Sequence, residues 1–244
     1  MTEEQKEKPY SRAMVVMAHP DDAEYSCSGT VAQWTRLGWE VVYVLCTDGS
    51  KGADEPDMTS EKVAAIRKQE QLDAARILGL KDVVFLNYPD SYLTPSLELR
   101  KDIARAIRRY KPDVMICPNP VRSLEGNSYL GHPDHMAAGE AALSAAYPTA
   151  RDRLTYPDLL KEGLEPHKVR RLLYWGADEP DVVVDISDAL EDQIAALYKH
   201  ASQVGGLKDT GRDAAGRVRT RAEEAAVGQA FKYGAAYRQL LARV

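Results

Sequence analysis

Residues 13–22, AMVVMAHPDD, decide how the rest of the chain reads. The first six, Ala13 to Ala18, are apolar with no polar alternation. Such a run suits a strand buried on both faces of a parallel sheet. In open parallel sheets, ligands bind beyond the carboxyl ends of the strands. His19, Asp21 and Asp22 fall at that end. His19 and Asp22 are three apart across a turn set by Pro20, which lets both point at one ion. Imidazole nitrogen and carboxylate oxygen are both zinc ligands. A loop whose acids cap the next helix would contain the same residues, so His-Pro-Asp-Asp alone leaves both readings open.

Outward from this stretch, three more short apolar runs follow: Val41–Cys46 (VVYVLC), Val83–Leu86 (VVFL) and Val114–Cys117 (VMIC). Helical stretches separate them. One spans Thr30 to Leu37 and is ended by Gly38; a second runs from a Ser60 N-cap, with Glu61 in its first turn, to Gly79; a third covers Ser96 to Tyr110 and stops before Pro112. Strand and helix alternate, so the expected class is α/β: a Rossmann-like, mainly parallel sheet flanked by helices. The second half is less regular. Residues 118–134 form a loop rich in Pro, Gly and Asn, and a helix passes through Ala141–Ala146. A loop over 147–168 carries Pro148, Pro157 and Pro166. Strands are expected at Leu172–Trp175 and Val182–Asp185, and a helix capped by Ser187 reaches Val204. A mobile loop is expected over 208–221 and a last helix from Ala222. The organisation is thus a flexible tail over 1–12 and a single domain over 13–244, with an irregular C-terminal part.

The chain has 244 residues, enough to bury a sizeable core. Its formal net charge of −5 offers no broad basic field, so neither nucleic acid nor an anionic membrane is an expected partner. The polar start MTEEQKEKPYSRA does not resemble a signal peptide, and no run approaches the roughly 18 apolar residues of a membrane span. Cys27, Cys46 and Cys117 are scattered and odd in number, which argues against a disulfide framework or a thiolate zinc site. A cytoplasmic location follows as the expectation, and a homo-oligomer is allowed.

The second cluster is GHPDH, residues 131–135. It closes the Gly/Asn-rich loop and opens a helix. As a capping motif it would make Asp134 an N-cap and leave His132 and His135 to solvent. Yet the chain has five histidines, and three of them fall in this cluster and the first. Both clusters follow candidate strand ends, a coincidence that capping does not explain.

Taken together, the two motifs resemble those of the zinc-dependent N-acetylglucosaminyl deacetylases, the PIG-L or LmbE-like family, which includes deacetylases and amidases of the mycothiol and bacillithiol pathways. The similarity runs over AHPDDAEYSCSGT, VLCTDGSKG, RKQEQLDAARILG, GHPDHMAAGEA and, near the C-terminus, HASQ. The family pattern usually has Gly-Gly where this chain has Ser28-Gly29, and often Glu directly after the aspartates, where Ala23 precedes Glu24 here. The resemblance implies that His19, Asp22 and His135 ligate zinc, or another divalent first-row metal. It implies that Asp21 is the general base and that His132 stabilises the oxyanion or protonates the leaving amine. Asp134 would then hold His132 charged and oriented. The implied activity is metal-dependent hydrolysis of an N-acetyl group on an amino sugar or its conjugate.

Arg67 matches a substrate-contact position, although Arg67 and Glu70 at i and i+3 would also make an ordinary exposed helix pair. Asp48 follows the second strand and is either at the site or a turn cap. His200 either approaches the pocket or packs on a helix face, and Asn119 and Tyr129, in the loop before GHPDH, are candidates to line the site. A nucleotide-binding module would need glycines where His-Pro-Asp-Asp stands, and a zinc peptidase of the HExxH kind lacks its helix here. A non-catalytic zinc- or sugar-binding protein on the same fold remains the alternative; the presence of both Asp21 and His132 argues for chemistry. Substrate choice would rest with the loops at 118–130 and 147–168.

Overall fold

The computed structural model describes residues 9–122, 130–204 and 213–241. Strand β1 (Arg12–Met17) lies inside the sheet, between the parallel neighbours β2 (Glu40–Thr47) and β4 (Val114–Pro118). Ala13, Val15 and Met17 enter one core; Met14, Val16 and Ala18 enter the other. This is why the run shows no polar alternation. Each fully buried valine of β1 contributes about 1.5–3 kcal/mol relative to an exposed one. Strand β3 (Asp82–Tyr88) adds to β2, and β5 (Arg171–Trp175) adds to β4, again parallel. Strands β6 (Val182–Asp185) and β7 (Gly234–Leu241) complete the order β3-β2-β1-β4-β5-β7-β6, with β7 antiparallel to both of its neighbours. The class is the expected α/β one with a mainly parallel sheet. The chain winds outward from β1 through β2 to β3, then returns to the other side at β4. The crevice at the carboxyl ends of β1 and β4 is therefore the topological switch point.

Helices cover both faces. With α1 (Asp22–Ser26), α2 (Ser28–Arg36) and α3 (Ser60–Leu78), the late helices α7 (Leu190–Leu197) and α8 (Ala214–Ala225) enclose one core. The other core lies under α4 (Leu97–Tyr110) and α5 (Pro133–Ser144), and a short α6 spans Pro157–Lys161. The cap of α3 is Thr59 rather than Ser60: its side chain accepts the Lys62 amide at 3.3 Å. Gly79 ends that helix at φ +67, a conformation glycine adopts without a Cβ clash. Ser96 caps α4 by accepting the Leu99 amide. Gly139 lets α5 lie directly on the end of β4, because a Cβ there would meet the Pro118 carbonyl oxygen at 2.4 Å.

Several expectations for the second half need correction. The last element is strand β7, not a helix. Its Ala- and Leu-rich residues favour a helix locally, but pairing with β5 and β6 overrides that preference. Residues 214–221, expected as loop, begin α8, whose start is fixed by the Asp213 carboxylate accepting the Gly216 amide at 2.8 Å. Ser187 caps no helix; its hydroxyl accepts the Tyr233 amide, and α7 stops at Leu197. The expected loop over 147–168 contains α6. Residues 1–8 of the expected tail lie outside the described residues, whereas the Ser11 and Arg12 amides are anchored on the Asp113 carboxylate at 3.0 and 3.1 Å. No helix among the described residues is long and apolar enough to cross a membrane.

Candidate metal centre and active site

The turn after β1 folds back on itself. The Asp22 carboxylate Oδ2 accepts the His19 amide at 2.9 Å, so Asp22 opens α1 with its side chain already turned toward His19. Helix α5 supplies the other half: His132 is its N-cap, Pro133 its first residue, and His135 lies in its first turn. Asp22 joins the two motifs. Its Oδ1 lies 3.0 Å from His135 Nε2 and its Oδ2 lies 3.5 Å from His19 Nδ1. One ligand atom each from His19, Asp22 and His135 lies within 4.8 Å of the others.

His19 also groups with His132 and Asp134 at similar range. In that grouping Asp134 and His132 already accept backbone amides. Asp134, fully buried, accepts the Ser91 and Leu93 amides at 2.7 and 3.3 Å, and His132 Nδ1 accepts the Asp134 amide at 3.2 Å. The back nitrogen of His19, Nε2, sits 3.3 Å from Asp134 Oδ2 and 3.3 Å from Asp90 Oδ1. A carboxylate behind an imidazole is the usual support of a metal-ligating histidine. The Asp134 carboxylate thus faces His19, and it is the Asp134 amide, not its carboxylate, that meets the His132 ring.

The field at this point favours a cation. Burial would depress the His19 pKa, yet Asp22, Asp134 and Asp90 outweigh it and raise the pKa well above its ordinary value. Burial would raise Asp22, but His135 and His19 hold it well below the carboxylate range. Asp90 is likewise lowered, its burial outweighed by His19, the Lys51 amide and Arg67. Two imidazoles and a carboxylate in an acid-rich, largely buried pocket fit a divalent first-row ion, and the donor types suit zinc.

Asp21 adopts φ 90°, a conformation unusual for a residue with a Cβ and worth about 1–3 kcal/mol of strain. Three groups hold it there. Its amide donates to Gln71 Oε1 at 3.3 Å, its carbonyl accepts the Tyr25 amide at 3.0 Å, and its Oδ2 lies 3.4 Å from Arg67 Nη2. Burial raises the Asp21 pKa and Asp22 adds to that; Arg67 and His200 act against it. Arg67 is 4% exposed and donates to the Gly49 carbonyl at 2.8 Å and the Pro20 carbonyl at 2.5 Å. The task visible for it is to clamp the loops after β1 and β2 behind Asp21. It makes no exposed pair with Glu70, whose carboxylate instead accepts the Ser202 amide and hydroxyl.

The His132 ring stands edge-on to His19, with centroids 4.7 Å apart, and lies 5.5 Å from the His135 ring. Its pKa is lowered: burial comes first, and His19 and His135 add to it, outweighing the raising effect of Asp134 and Asp90. With Nδ1 accepting an amide, the neutral ring carries its proton on Nε2.

Of the remaining candidates, Asp48 stabilises its own turn, with Oδ1 accepting the Ser50 and Asp90 amides. His200 is wholly buried, 3.3 Å from Glu24 Oε2. Asn119 donates to the Gly176 carbonyl and lines a cavity of about 470 Å³ that opens beside His135 and is walled by Trp175, Ile186, Val218 and Ala222. Tyr129 lies outside the described residues. Sequence reading passed over Asp90, Trp175 and Gln71. Asp90 lies two residues past β3 and Trp175 ends β5, so the strand-end rule that singled out His19 could have found them. Gln71 lies mid-helix and carries no such signal.

Comparison with known proteins follows the same lines. Residues 14–146 match the family described as GlcNAc-PI de-N-acetylase, PIG-L. The diacetylchitobiose deacetylase of Thermococcus kodakarensis is 33% identical over 192 residues, covering 79% of this chain and 70% of that one. A probable N-acetyl-alpha-D-glucosaminyl L-malate deacetylase 2 of Bacillus anthracis is 30% identical, covering 78% of this chain and 80% of that one. The solved N,N'-diacetylchitobiose deacetylase from Pyrococcus horikoshii superposes with a TM-score of 0.86 at 29% identity, over 95% of this chain and 84% of that one.

Proposed function

The chain belongs to the PIG-L family of GlcNAc-PI de-N-acetylases, and from that premise we propose that it is a zinc-dependent hydrolase removing the acetyl group from an N-acetylated amino sugar or its conjugate. The observation that carries the reading is the meeting of His19, Asp22 and His135 at the switch point, with Asp21 on the adjoining turn and His132 opposite. His19, Asp22 and His135 would hold the zinc. Bound there, zinc polarises the amide carbonyl and lowers the pKa of water.

The chain's own residues do the rest. Asp21 takes the proton of the attacking water. Its burial favours the protonated form it then adopts, while Arg67 keeps it ionised beforehand. His132 Nε2 donates a hydrogen bond to the carbonyl oxygen as negative charge develops there, and the departing amine takes up the proton that Asp21 removed from the water. Asp134 holds the His19 ring so that Nδ1 faces Asp22. The cavity beside His135 would receive the rest of the substrate, with the Trp175 ring as an apolar wall. Since α8 and β7 line that cavity together with residues of the first half, residues 13–244 would act as one unit. Three free, buried thiols suit the proposed cytoplasmic location.

The test is acetate release from N-acetylglucosamine, diacetylchitobiose and N-acetylglucosaminyl conjugates by the zinc-loaded protein. Release from at least one, abolished by a chelator and restored by zinc, is the expected result. Zinc and sugar binding with no release from any of them would leave the non-catalytic binding protein as the better reading.

A further inference from the structure

We propose that Gln71, its amide oriented by the buried Glu24–His200 pair, is a positioning residue for Asp21. The inference rests on the reading of Asp21 as the base. Glu24 and His200 have no exposed side-chain surface, and His200 Nε2 lies 3.3 Å from Glu24 Oε2. The other carboxylate oxygen, Oε1, accepts Gln71 Nε2 at 3.1 Å. Gln71, also fully buried, then presents Oε1 to the Asp21 amide at 3.3 Å. Glu24 is fixed in turn by Gln193, which donates to its backbone carbonyl at 3.0 Å.

The chemistry of these groups imposes a direction. A side-chain amide can face a partner with either its oxygen or its nitrogen. Glu24 Oε1 accepts the Gln71 nitrogen, which leaves the Gln71 oxygen turned toward the Asp21 amide. Were the amide reversed, two donors would face each other at Asp21. Burying a carboxylate and an imidazole carries a desolvation penalty that apolar residues would avoid. Here the pair sits one residue behind the strained turn that bears the base. Asp22, next along, is held by the His19 amide and would be held by metal. Relaxation after loss of Gln71 therefore falls on Asp21, and the metal ligands keep their places.

Two variants and one double variant test this in the full-length, zinc-loaded protein. Gln71→Leu keeps the volume and removes the tie. It should lower kcat about tenfold or more, as a misplaced catalytic group does, with KM within about twofold and bound zinc unchanged. In the Asp21→Asn background the same change should add less than about twofold, because Gln71 acts through Asp21. In the zinc-free protein, hydrogen exchange at the Asp21 amide, read by NMR, should accelerate. Glu24→Gln keeps size and shape but lets the Gln71 amide reverse. It should accelerate the same exchange and lower kcat in the same direction, and it serves if Gln71→Leu does not fold. Native kcat and native Asp21 exchange in the folded variants would overturn the proposal, as would an equal further loss in the Asp21→Asn background. If the wild-type protein releases no acetate from any N-acetyl sugar, the deacetylase reading fails, and the exchange measurement still decides whether Gln71 holds Asp21.

Discussion

Asp134 Oδ2 lies 3.3 Å from His19 Nε2, tying together residues 115 positions apart in the chain. The contact places a carboxylate behind one member of the proposed ligand set, while Nδ1 of the same ring faces Asp22. Asp134 comes pre-oriented, because the Ser91 and Leu93 amides bind its two oxygens. Replacing it should therefore act on the metal. Asp134→Asn should weaken zinc affinity about 10–100-fold, the usual effect of losing such a partner. Competition against a chelating dye measures this, and an unchanged dissociation constant would show that Asp90 alone suffices behind His19.

The adjacent aspartates should separate cleanly. Asp22 reaches both imidazoles, whereas Asp21 reaches Arg67 and Gln71. Asp22→Ala should lose zinc and activity together. Asp21→Asn should keep zinc but lose hydrolysis on the order of 10²-fold or more. Metal analysis beside steady-state kinetics distinguishes them, and near-native turnover by Asp21→Asn would remove Asp21 from the mechanism.

Asp113 makes a prediction about stability. Its carboxylate binds the Ser11 and Arg12 amides and the Arg170 guanidinium, fastening the start of β1 to the start of β4 and the lead-in to β5. Burial would raise its pKa, but those donors lower it. A lowered folded pKa means the contribution is complete above the unfolded value and is lost as pH falls through the folded one. Asp113→Ala should thus destabilise by about 1–3 kcal/mol at neutral pH. The gap to wild type should shrink once pH drops below about 3.9. Urea melts across pH 3 to 7 check it; a gap that persists undiminished at the lowest pH would assign the effect to packing.

The first half of the fold was legible because β1, β2 and β4 are buried on both faces, which leaves an unbroken apolar run such as Val41–Cys46. The later elements were not. Strand β7 is rich in Ala and Leu, which do not favour strands, and its place comes from pairing with β5 and β6, which no local pattern encodes. The same division holds at the site. His19, Asp22 and His135 stood out because three of the five histidines fall in two His-Pro-Asp motifs, one at the end of β1 and one opening α5. Which group Asp134 serves depends on where the β3–α4 loop delivers Ser91 and Leu93, and that is a tertiary fact. Gln71 lies on the buried face of α3 within RKQEQLDAARILG, but nothing in that stretch says what its amide meets; its proposed role follows from the buried carboxylate it faces.

His132 supplies the last prediction, and its sign reverses the expectation drawn from sequence. An Asp134 carboxylate on its ring would have raised its pKa, made the imidazolium the working form, and given a rate that falls as pH rises through that pKa. Instead burial, followed by His19 and His135, lowers it. The ring is then neutral at and above the ordinary imidazole value of about 6.5. Its Nδ1 accepts the Asp134 amide, so the proton resides on Nε2, which can donate without the ring being charged. kcat/KM should accordingly show no fall as pH rises through about 6.5. His132→Ala should lower kcat about 10²–10³-fold, the usual effect of losing one oxyanion donor, with zinc content intact. His132→Gln, which retains an N–H donor of similar reach, should recover part of that loss. A basic limb that vanishes in His132→Ala would restore the imidazolium as the acting species. Loss of zinc from His132→Ala would instead make His132 a ligand, in the grouping it forms with His19 and Asp134.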